Sequence, residues 1–103
     1  MKCFVTFRLK PDVTVEAYED WFRRVNVPAV RKMASITSYR VWHVVGAMEG
    51  QPAFDFLEEM ELADRSAFEQ EVTERPEMAA MLEDWYGRVA DQVVVYAEEV
   101  AQD

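Results

Sequence analysis

The sequence predicts an α+β fold with the element order β-α-β-β-α-β. Segments rich in β-branched and aromatic residues, with a repeat of two, alternate with segments in which apolar residues recur every three or four positions. The chain has 103 residues, of which 50% are hydrophobic, and this length suits one globular domain. We therefore expect a single domain over residues 1–103.

The first half of the chain supplies a strand, an interrupted helix and a second strand. Residues 2–9 are rich in aromatic and β-branched residues and end shortly before a proline, which indicates the first strand. Thr14 is a typical N-cap for the next helix. Pro28 must break or kink this helix because proline has no amide proton, and Asn26 is placed to cap the turn that follows. Over residues 35–45 the repeat changes to two, which predicts the second strand.

The second half begins with a hairpin and ends with a helix and a strand. Turn-rich residues 46–52 connect the second strand to a third at residues 53–62, and so short a connection makes the two strands antiparallel. Asp64 is a suitable N-cap for a helix that Pro76 restarts, and residues 93–100 form the last strand. This order is the split βαβ pattern of ferredoxin-like folds, in which two helices cover one face of a four-stranded antiparallel sheet.

The predicted hairpin is apolar on both faces. Tyr39 and Leu57 have one parity, whereas Trp42 and Phe56 have the other. Two helices can cover only one face of the sheet, so the second apolar face needs another layer. We expect this layer to be a second copy of the chain, packed sheet against sheet in a homodimer.

Charge and cysteine content restrict the possible partners and location. The chain has 20 acidic and 11 basic residues and a formal charge of −9, which argues against binding of nucleic acids or anionic membrane surfaces. The longest apolar run is too short to span a bilayer, and Arg8 and Lys10 interrupt any signal-peptide segment. A lone cysteine, Cys3, and a lone histidine exclude an internal disulfide and a structural zinc site within one chain. We therefore expect a cytoplasmic protein.

One carboxylate lies within an apolar stripe of the predicted third strand. Glu58 shares its parity with phenylalanine, methionine and leucine residues, so it needs either a partner or a raised pKa. If Val44 pairs with Phe54, Arg40 lies directly opposite Glu58. A structural ion pair and a pair that anchors or protonates a ligand both agree with this pattern.

A second ionisable pair is expected on the reverse face, where the same register places His43 opposite Asp55. His43 is the only side chain expected to titrate near neutral pH, and Asp55 could orient it as a general base or acid. A structural histidine is the alternative. Because the two pairs occupy opposite faces, at most one of them forms the main site.

Aromatic side chains could form the walls of a ligand pocket. The assumed register sets Trp42 opposite Phe56, and the other two tryptophans are further candidates. Core packing is the alternative for all three tryptophans. The candidate substrate-binding residues are therefore Tyr39, Arg40, Trp42, Trp21, Phe56 and Trp85.

Two sequence runs and the element order resemble a known family. Residues 21–31 read Trp-Phe-Arg-Arg-Val-Asn-Val-Pro-Ala-Val-Arg, and residues 35–41 read Ser-Ile-Thr-Ser-Tyr-Arg-Val. With the prolines that split both helices, these runs resemble the RedY/HapK-like proteins of the dimeric α/β-barrel superfamily. The resemblance implies a homodimer with pockets between sheet and helices, and an association with prodiginine and bis-indole pigment pathways.

The resemblance also implies something about chemistry. Members of this superfamily act as cyclases, monooxygenases or decarboxylases without a metal or organic cofactor, while others bind haem or only bind ligands. Related polyketide cyclases use histidines that this chain lacks, since Cys3 stands at the first-strand position and residues 75–78 contain none. Polyketide-cyclase chemistry is therefore not carried over. The one possible haem ligand, His43, lies on the hairpin strand, so the haem-binding branches do not fit either. We expect no metal and no cofactor.

Our first functional hypothesis is a cofactor-independent enzyme of natural-product biosynthesis. It would cyclise or condense a small, unstable indole- or pyrrole-derived metabolite by proton transfer, with an aromatic-walled pocket holding one reactive conformation. Either His43 with Asp55, or Glu58 with Arg40 nearby, would move the proton. The alternatives are a non-catalytic dimer that binds and shields a labile intermediate, and a cofactor-free monooxygenase.

Overall fold

The chain folds into four strands and two interrupted helical segments. The computed structural model describes residues 1–102. Its strands are β1 (Lys2–Leu9), β2 (Ile36–His43), β3 (Phe56–Leu62) and β4 (Val89–Ala97). Its α-helices are α1 (Val15–Trp21), α2 (Val27–Arg31), α3 (Arg65–Glu74) and α4 (Pro76–Tyr86), and a π-helical turn, Phe22–Asn26, joins α1 to α2.

The strands form one antiparallel sheet in the order β2-β3-β1-β4. The first and third strands therefore occupy its centre, as the element order predicts. The ferredoxin-like α+β fold is confirmed. Among residues 1–102, every helix is too short or too polar to cross a lipid bilayer.

Both predicted helix caps are present. The hydroxyl of Thr14 accepts a hydrogen bond from the amide of Ala17 at 3.1 Å, and the carboxylate of Asp64 accepts one from the amide of Ala67 at 2.8 Å. Each cap satisfies an amide at a helix start that has no partner within the helix. Local sequence therefore sets where α1 and α3 begin.

The predicted break at Pro28 takes the form of a π-helical turn. The amide of Val27 donates to the carbonyl of Phe22, five residues earlier, and the next residue is a proline with no amide to donate. Asn26 has helical backbone angles and its side chain caps nothing, so the predicted cap at this residue is wrong. The widened turn instead directs Asn26 into the protein interior, where it is buried.

The connection between β2 and β3 spans residues 44–55, which is longer than the predicted 46–52. Asp55, at its end, is held by β1: its amide donates to the carbonyl of Phe7 at 2.8 Å, and its carboxylate accepts the amide of Leu9 at 2.9 Å. The carbonyl of Asp55 also accepts the amide of Val44 across the hairpin at 2.8 Å. The third strand is shorter than predicted.

The last strand begins earlier than predicted, at Val89 instead of residue 93, where it pairs with Leu9. Asp91 and Gln92 interrupt its apolar run, and Asp91 has a positive φ of 55° at an irregularity in the pairing with β1. Asp tolerates this conformation better than most residues. The polar interruption is why the sequence pattern misses the first residues of β4.

The core lies between the helices and one face of the sheet. Phe7, from the centre of β1, is 0% exposed, and its ring lies 5.5 Å from that of Tyr18, 5.6 Å from Phe56 and 5.3 Å from Trp85. Aromatic rings at these separations attract one another beyond the burial of their area. This cluster fixes α1 and α4 against the two central strands.

Within residues 1–102, no helix or loop covers the opposite face of the sheet. Phe4 and Leu57 lie on it at the centre, Trp42 lies on β2, and Val93 and Val95 lie on β4. Trp42 is 50% exposed and Val93 is 52% exposed. We call this surface the open face. It carries apolar residues, as the sequence pattern predicts, together with charged residues such as Lys2, Arg40 and Glu59.

Candidate functional site

A cavity of about 270 Å³ lies between the helices and the sheet. Its lining is mostly apolar and includes four methionines, namely Met33, Met60, Met78 and Met81. The polar groups of Asn26 and Glu58 lie on its inner side, and both residues are buried. The exposed residues Val94 and Tyr86 also line the cavity, so it reaches the surface between β4 and α4.

The two hairpin strands pair one residue out of the predicted register. Val41 lies opposite Glu58, and Arg40 lies opposite Glu59. A shift of one residue moves every side chain of a strand to the other face. The predicted pairing of Arg40 with Glu58 is therefore wrong, because Arg40 lies on the open face. Tyr39 takes its place beside Glu58, on the face that the helices cover.

The predicted pairing of His43 with Asp55 is also wrong. His43 lies opposite Phe56 and stacks on its ring at 4.9 Å, while the Asp55 carboxylate accepts the amide of Leu9. His43 is on the same face of the sheet as Glu58, contrary to the expectation of opposite faces. It is exposed at the end of its strand, and neither His43 nor Asp55 is among the cavity-lining residues of the described chain.

Glu58 is the buried carboxyl group of the cavity lining. It is only 6% exposed, and its Oε1 atom lies 2.6 Å from the hydroxyl of Tyr39. Burial raises the pKa of Glu58 to about 7, because a charged carboxylate is poorly solvated there, while the hydrogen bond from Tyr39 lowers it in part. Glu58 therefore exchanges its proton near neutral pH.

A short chain of hydrogen bonds links Glu58 to Tyr39, Asn26 and Met81. The Tyr39 hydroxyl lies 2.8 Å from Oδ1 of Asn26 as well as 2.6 Å from Glu58, and the Asn26 amide donates to the sulfur of Met81 at 3.4 Å. Tyr39 has one proton and faces two acceptors. When Glu58 is ionised, Tyr39 donates to it. When Glu58 is protonated, it donates to Tyr39, which then donates to Asn26.

Tyr39 itself stays protonated throughout this exchange. Burial and the nearby Glu58 carboxyl raise the pKa of Tyr39 well above its usual range. Only the direction of its hydrogen bond changes, so Tyr39 acts as a fixed partner for a carboxyl group that titrates. Within the described chain only Oε1 of Glu58 is hydrogen-bonded, and Oε2 is not one of the fully buried atoms that lack a partner.

Comparison with known proteins identifies the family. The family model described as REDY-like protein HapK matches residues 1–100. The chain belongs to the HapK family of REDY-like proteins. No curated protein sequence matches it.

Solved structures show the same fold. The chain is similar to HapK from Hahella chejuensis, with 16% identity, a TM-score of 0.73 and coverage of 100% of this chain and 98% of that one. A hydroxynitrile lyase from Passiflora edulis is 12% identical, with a TM-score of 0.79 and coverage of 99% and 95%. A dimeric ferredoxin-like protein of unknown function from Thermobifida fusca is 21% identical, with a TM-score of 0.66 and coverage of 91% and 85%.

The three tryptophans of this HapK-family chain do not share one pocket. Trp85 lines the cavity and donates its indole N–H to the hydroxyl of Tyr18 at 2.9 Å. Trp21 is buried elsewhere, where it donates to Asp84 at 2.7 Å. Trp42 is half-exposed on the open face. Of the predicted tryptophan walls, only Trp85 is part of the cavity.

The remaining predicted aromatic contacts divide between the core and the site. Phe56 is buried in the aromatic cluster and is not among the described cavity-lining residues. Tyr39 reaches the site through its hydrogen bond to Glu58. Cys3 is buried, and burial raises its pKa to about 11, so it remains an unreactive thiol at neutral pH. Within residues 1–102, no three His, Cys, Asp or Glu side chains come together as a metal site would require.

Sequence reasoning missed Asn26 as a site residue. It follows Phe22 by four positions and Tyr18 by eight, so it lies on the same apolar stripe of the interrupted helix. The signal for a site residue is a polar side chain at helical spacing among buried aromatic residues. The proline two positions later favours a helix cap at Asn26, which is the role the sequence predicts.

A polar cluster joins α3 to β4 beside the cavity opening. The hydroxyl of Tyr96 donates to the Glu69 carboxylate at 2.8 Å, and both residues line the cavity. The guanidinium of Arg65 lies 4.1 Å above the Tyr96 ring and 3.6 Å from the Glu69 carboxylate. The cluster marks the outer limit of the cavity.

Proposed function

We propose that this HapK-family protein cyclises or condenses an unstable indole- or pyrrole-derived intermediate in natural-product biosynthesis by moving protons, without a metal or an organic cofactor. The observation that supports this is Glu58, a carboxyl group with a pKa of about 7 at the inner end of an apolar cavity. Family membership supports the class of substrate.

Glu58 would act as both base and acid. A general acid or base is most effective when its pKa lies near the working pH, because both protonation states are then available. The carboxylate would take a proton from one position of the intermediate, and the carboxylic acid would return it at another. Tyr39, itself bonded to Asn26, would hold the Oε1 atom, which leaves Oε2 to meet the substrate.

The cavity would supply the conformational control. An apolar cavity of roughly 150 Å³ can hold a benzene molecule, and a volume of about 270 Å³ leaves room for a bicyclic aromatic ring. Holding a reactive chain in one conformation favours a single reaction among several that compete in solution. The apolar walls also keep water away from the reacting atoms.

A simple probe tests the base role of Glu58. We would use 5-nitrobenzisoxazole, a neutral bicyclic aromatic compound whose ring opens when a base removes its one C–H proton on the isoxazole ring. The proton goes to the carboxylate, the C–H electrons complete a nitrile, and the N–O electrons leave on a phenolate oxygen. The coloured phenolate reports the rate directly.

We expect the rate above background to rise with pH through about 7 and then level off, since only the ionised carboxylate is a base. Glu58→Gln should lower this rate about 100-fold. Glu59→Gln, the matched control on the open face of the same strand, should leave it unchanged. Tyr39→Phe should move the midpoint upward, because the Tyr39 hydrogen bond lowers the pKa of Glu58.

An unchanged rate in Glu58→Gln would exclude Glu58 as the base. If indole binds the protein but the ring of 5-nitrobenzisoxazole opens no faster than in buffer, the result would favour the alternative function, a non-catalytic dimer that binds and shields an intermediate. Uptake of molecular oxygen on mixing with an oxidisable indole would instead favour the monooxygenase alternative.

We also propose that the protein is a homodimer in which two open faces pack together to form a dimeric α/β barrel from residues 1–103 of each chain. Trp42 and Val95 are about half-exposed there, and an apolar patch of this kind on one side of a sheet favours a partner. Similar solved structures include dimeric ferredoxin-like proteins, which supports the same arrangement.

The dimer proposal is tested by placing a charge on the open face. Trp42→Glu should convert a dimer into a monomer at micromolar concentration, because it would bury a charged carboxylate where the indole ring packs. Tyr86→Glu is the control, since Tyr86 is also half-exposed but lies on α4, away from the open face. Native mass spectrometry gives the masses. A monomeric wild-type protein, or a Trp42→Glu variant that stays dimeric, would contradict the proposal.

A further inference from the structure

The charge of the cavity lining restricts what can enter it. The lining includes the two carboxyl groups of Glu58 and Glu69, and none of its described residues is a lysine, an arginine or a histidine. The guanidinium of Arg65, near the opening, is already paired with Glu69 at 3.6 Å and stacked on Tyr96. A ligand carboxylate or phosphate would therefore enter without a cation to pair with, which is costly in an apolar site.

Before any proton transfer, the Oε2 atom of Glu58 can accept a hydrogen bond whether Glu58 is ionised or carries its proton on Oε1. When Glu58 is ionised, Tyr39 donates to Oε1, and Oε2 is a carboxylate oxygen with only lone pairs to offer. When Glu58 is protonated on Oε1, it donates to Tyr39, and Oε2 is then a carbonyl oxygen. In either state Oε2 can accept a hydrogen bond, and no residue of the described chain supplies one.

The remaining walls suit a flat aromatic ring. Four of the six methionines of the chain line the cavity, together with the rings of Phe68 and Trp85. Methionine side chains are flexible and polarisable and make favourable contacts with aromatic rings. These walls can adapt to an aromatic ligand, but they offer it no polar recognition beyond the inner end and the opening.

We propose that the cavity takes a nitrogen-containing aromatic compound that carries no acidic group, and that a ring N–H or a protonated amine of this ligand donates to Oε2 of Glu58. This inference rests on the proposed function and specifies its class of substrate. It also implies that a precursor derived from an amino acid loses or masks its carboxyl group before it enters this site.

Three probes that share one ring system test the proposal. Tryptamine carries an ammonium group, indole is neutral, and indole-3-acetate carries a carboxylate. In calorimetric titrations at about pH 8, we expect tryptamine to bind at least tenfold more tightly than indole-3-acetate, with indole between them. In Glu58→Gln the difference between the charged probes should fall below about threefold. Glu59→Gln removes the same charge from the open face and should keep the full difference.

Wild-type protein alone gives a second test, in case Glu58→Gln does not fold. Tryptamine should bind at least tenfold more weakly at about pH 5 than at about pH 8, as Glu58 gains a proton, while neutral indole should not change. Glu69 on α3, Tyr86 on α4 and Tyr96 on β4 also line the cavity, near its opening. The titratable groups that interact directly with Glu58 are Cys3 on β1, Tyr18 on α1 and Tyr39 on β2. All three have pKa values raised by burial and stay uncharged over this range.

Three results would overturn the proposal: equal binding of tryptamine and indole-3-acetate, a preference for tryptamine that survives Glu58→Gln, or no binding of any probe at millimolar concentration. The ring opening of 5-nitrobenzisoxazole tests the proposed function separately, because this probe has neither a charge nor an N–H group and so does not depend on the proposed ligand preference. Turnover that depends on Glu58 would persist if only the charge preference were wrong.

Discussion

Glu58→Gln is expected to stabilise the folded protein by roughly 3 kcal/mol above about pH 8 and to leave its stability nearly unchanged below about pH 4. The folded-state pKa of Glu58 is about 7, against an ordinary value of 4.5. Between these values the folded protein keeps a proton that the unfolded chain releases. The contribution of Glu58 is therefore most favourable below about pH 4.5 and is lost as the pH rises through about 7.

Urea denaturation of the wild type and of Glu58→Gln across this pH range measures the effect. Other carboxylates, such as Glu61 and Asp84, have pKa values lowered by their hydrogen-bond partners, so their contributions have the opposite sign. The difference between the two proteins isolates Glu58, and Glu59→Gln serves as the control for loss of one charge on the same strand. Parallel pH profiles for the wild type and Glu58→Gln would show that Glu58 titrates normally.

The loss of folding stability caused by ionised Glu58 at neutral pH is informative about function. A protein that only needed to fold would be more stable at neutral pH with a neutral residue at position 58. Buried ionisable groups with shifted pKa values are concentrated at functional sites, where the chemistry requires them. The expected gain in Glu58→Gln, together with the expected loss of base activity, would identify Glu58 as a residue kept for chemistry.

Phe7→Ala should destabilise the fold by about 3–5 kcal/mol. Phe7 is 0% exposed, and the rings of Tyr18, Phe56 and Trp85 surround it at 5.3–5.6 Å. Removing its ring leaves a void between rigid aromatic neighbours that cannot all move inward. Because Trp85 also forms a wall of the cavity, we expect the variant to bind indole more weakly as well.

Phe4→Ala is the matched control, since Phe4 lies on the same strand and faces the opposite side of the sheet. Both variants are best measured in a Trp42→Glu background, so that dissociation of a dimer adds nothing to the unfolding free energy. In that background Phe4→Ala should cost about 1 kcal/mol or less, because its ring loses little packing there. Equal losses in the two variants would mean that the two faces of the sheet are equally packed within one chain.

Several elements of the fold follow from local sequence. The first strand has the predicted limits, and Thr14 and Asp64 cap the helices as expected. The break before Pro28 also occurs where the missing amide requires it. Each of these features depends on a few neighbouring residues, so a pattern in the sequence is enough to locate it. The apolar stripe of β3 likewise predicted that Glu58 is buried.

The partner of Glu58 could not be predicted in the same way. The hairpin is apolar at both parities, so the hydrophobic pattern of β2 fits either face, and a slip of one residue exchanges Arg40 for Tyr39. A connection over residues 44–55 is too long to set the register by turn geometry. The pairing is decided by contacts far apart in sequence, among them the hydrogen bonds that tie Asp55 to β1.

The sequence by itself determined the order of the elements, the caps, the helix break and the presence of a carboxyl group in an apolar layer. Only the tertiary structure decided that Tyr39, itself bonded to Asn26, holds this carboxyl group. It also decided that Trp85 is the one tryptophan that lines the cavity and that His43 lies outside it. The reason is physical: helix caps and strand patterns depend on adjacent residues, whereas a site is formed by side chains whose spacing depends on register and on packing between distant elements.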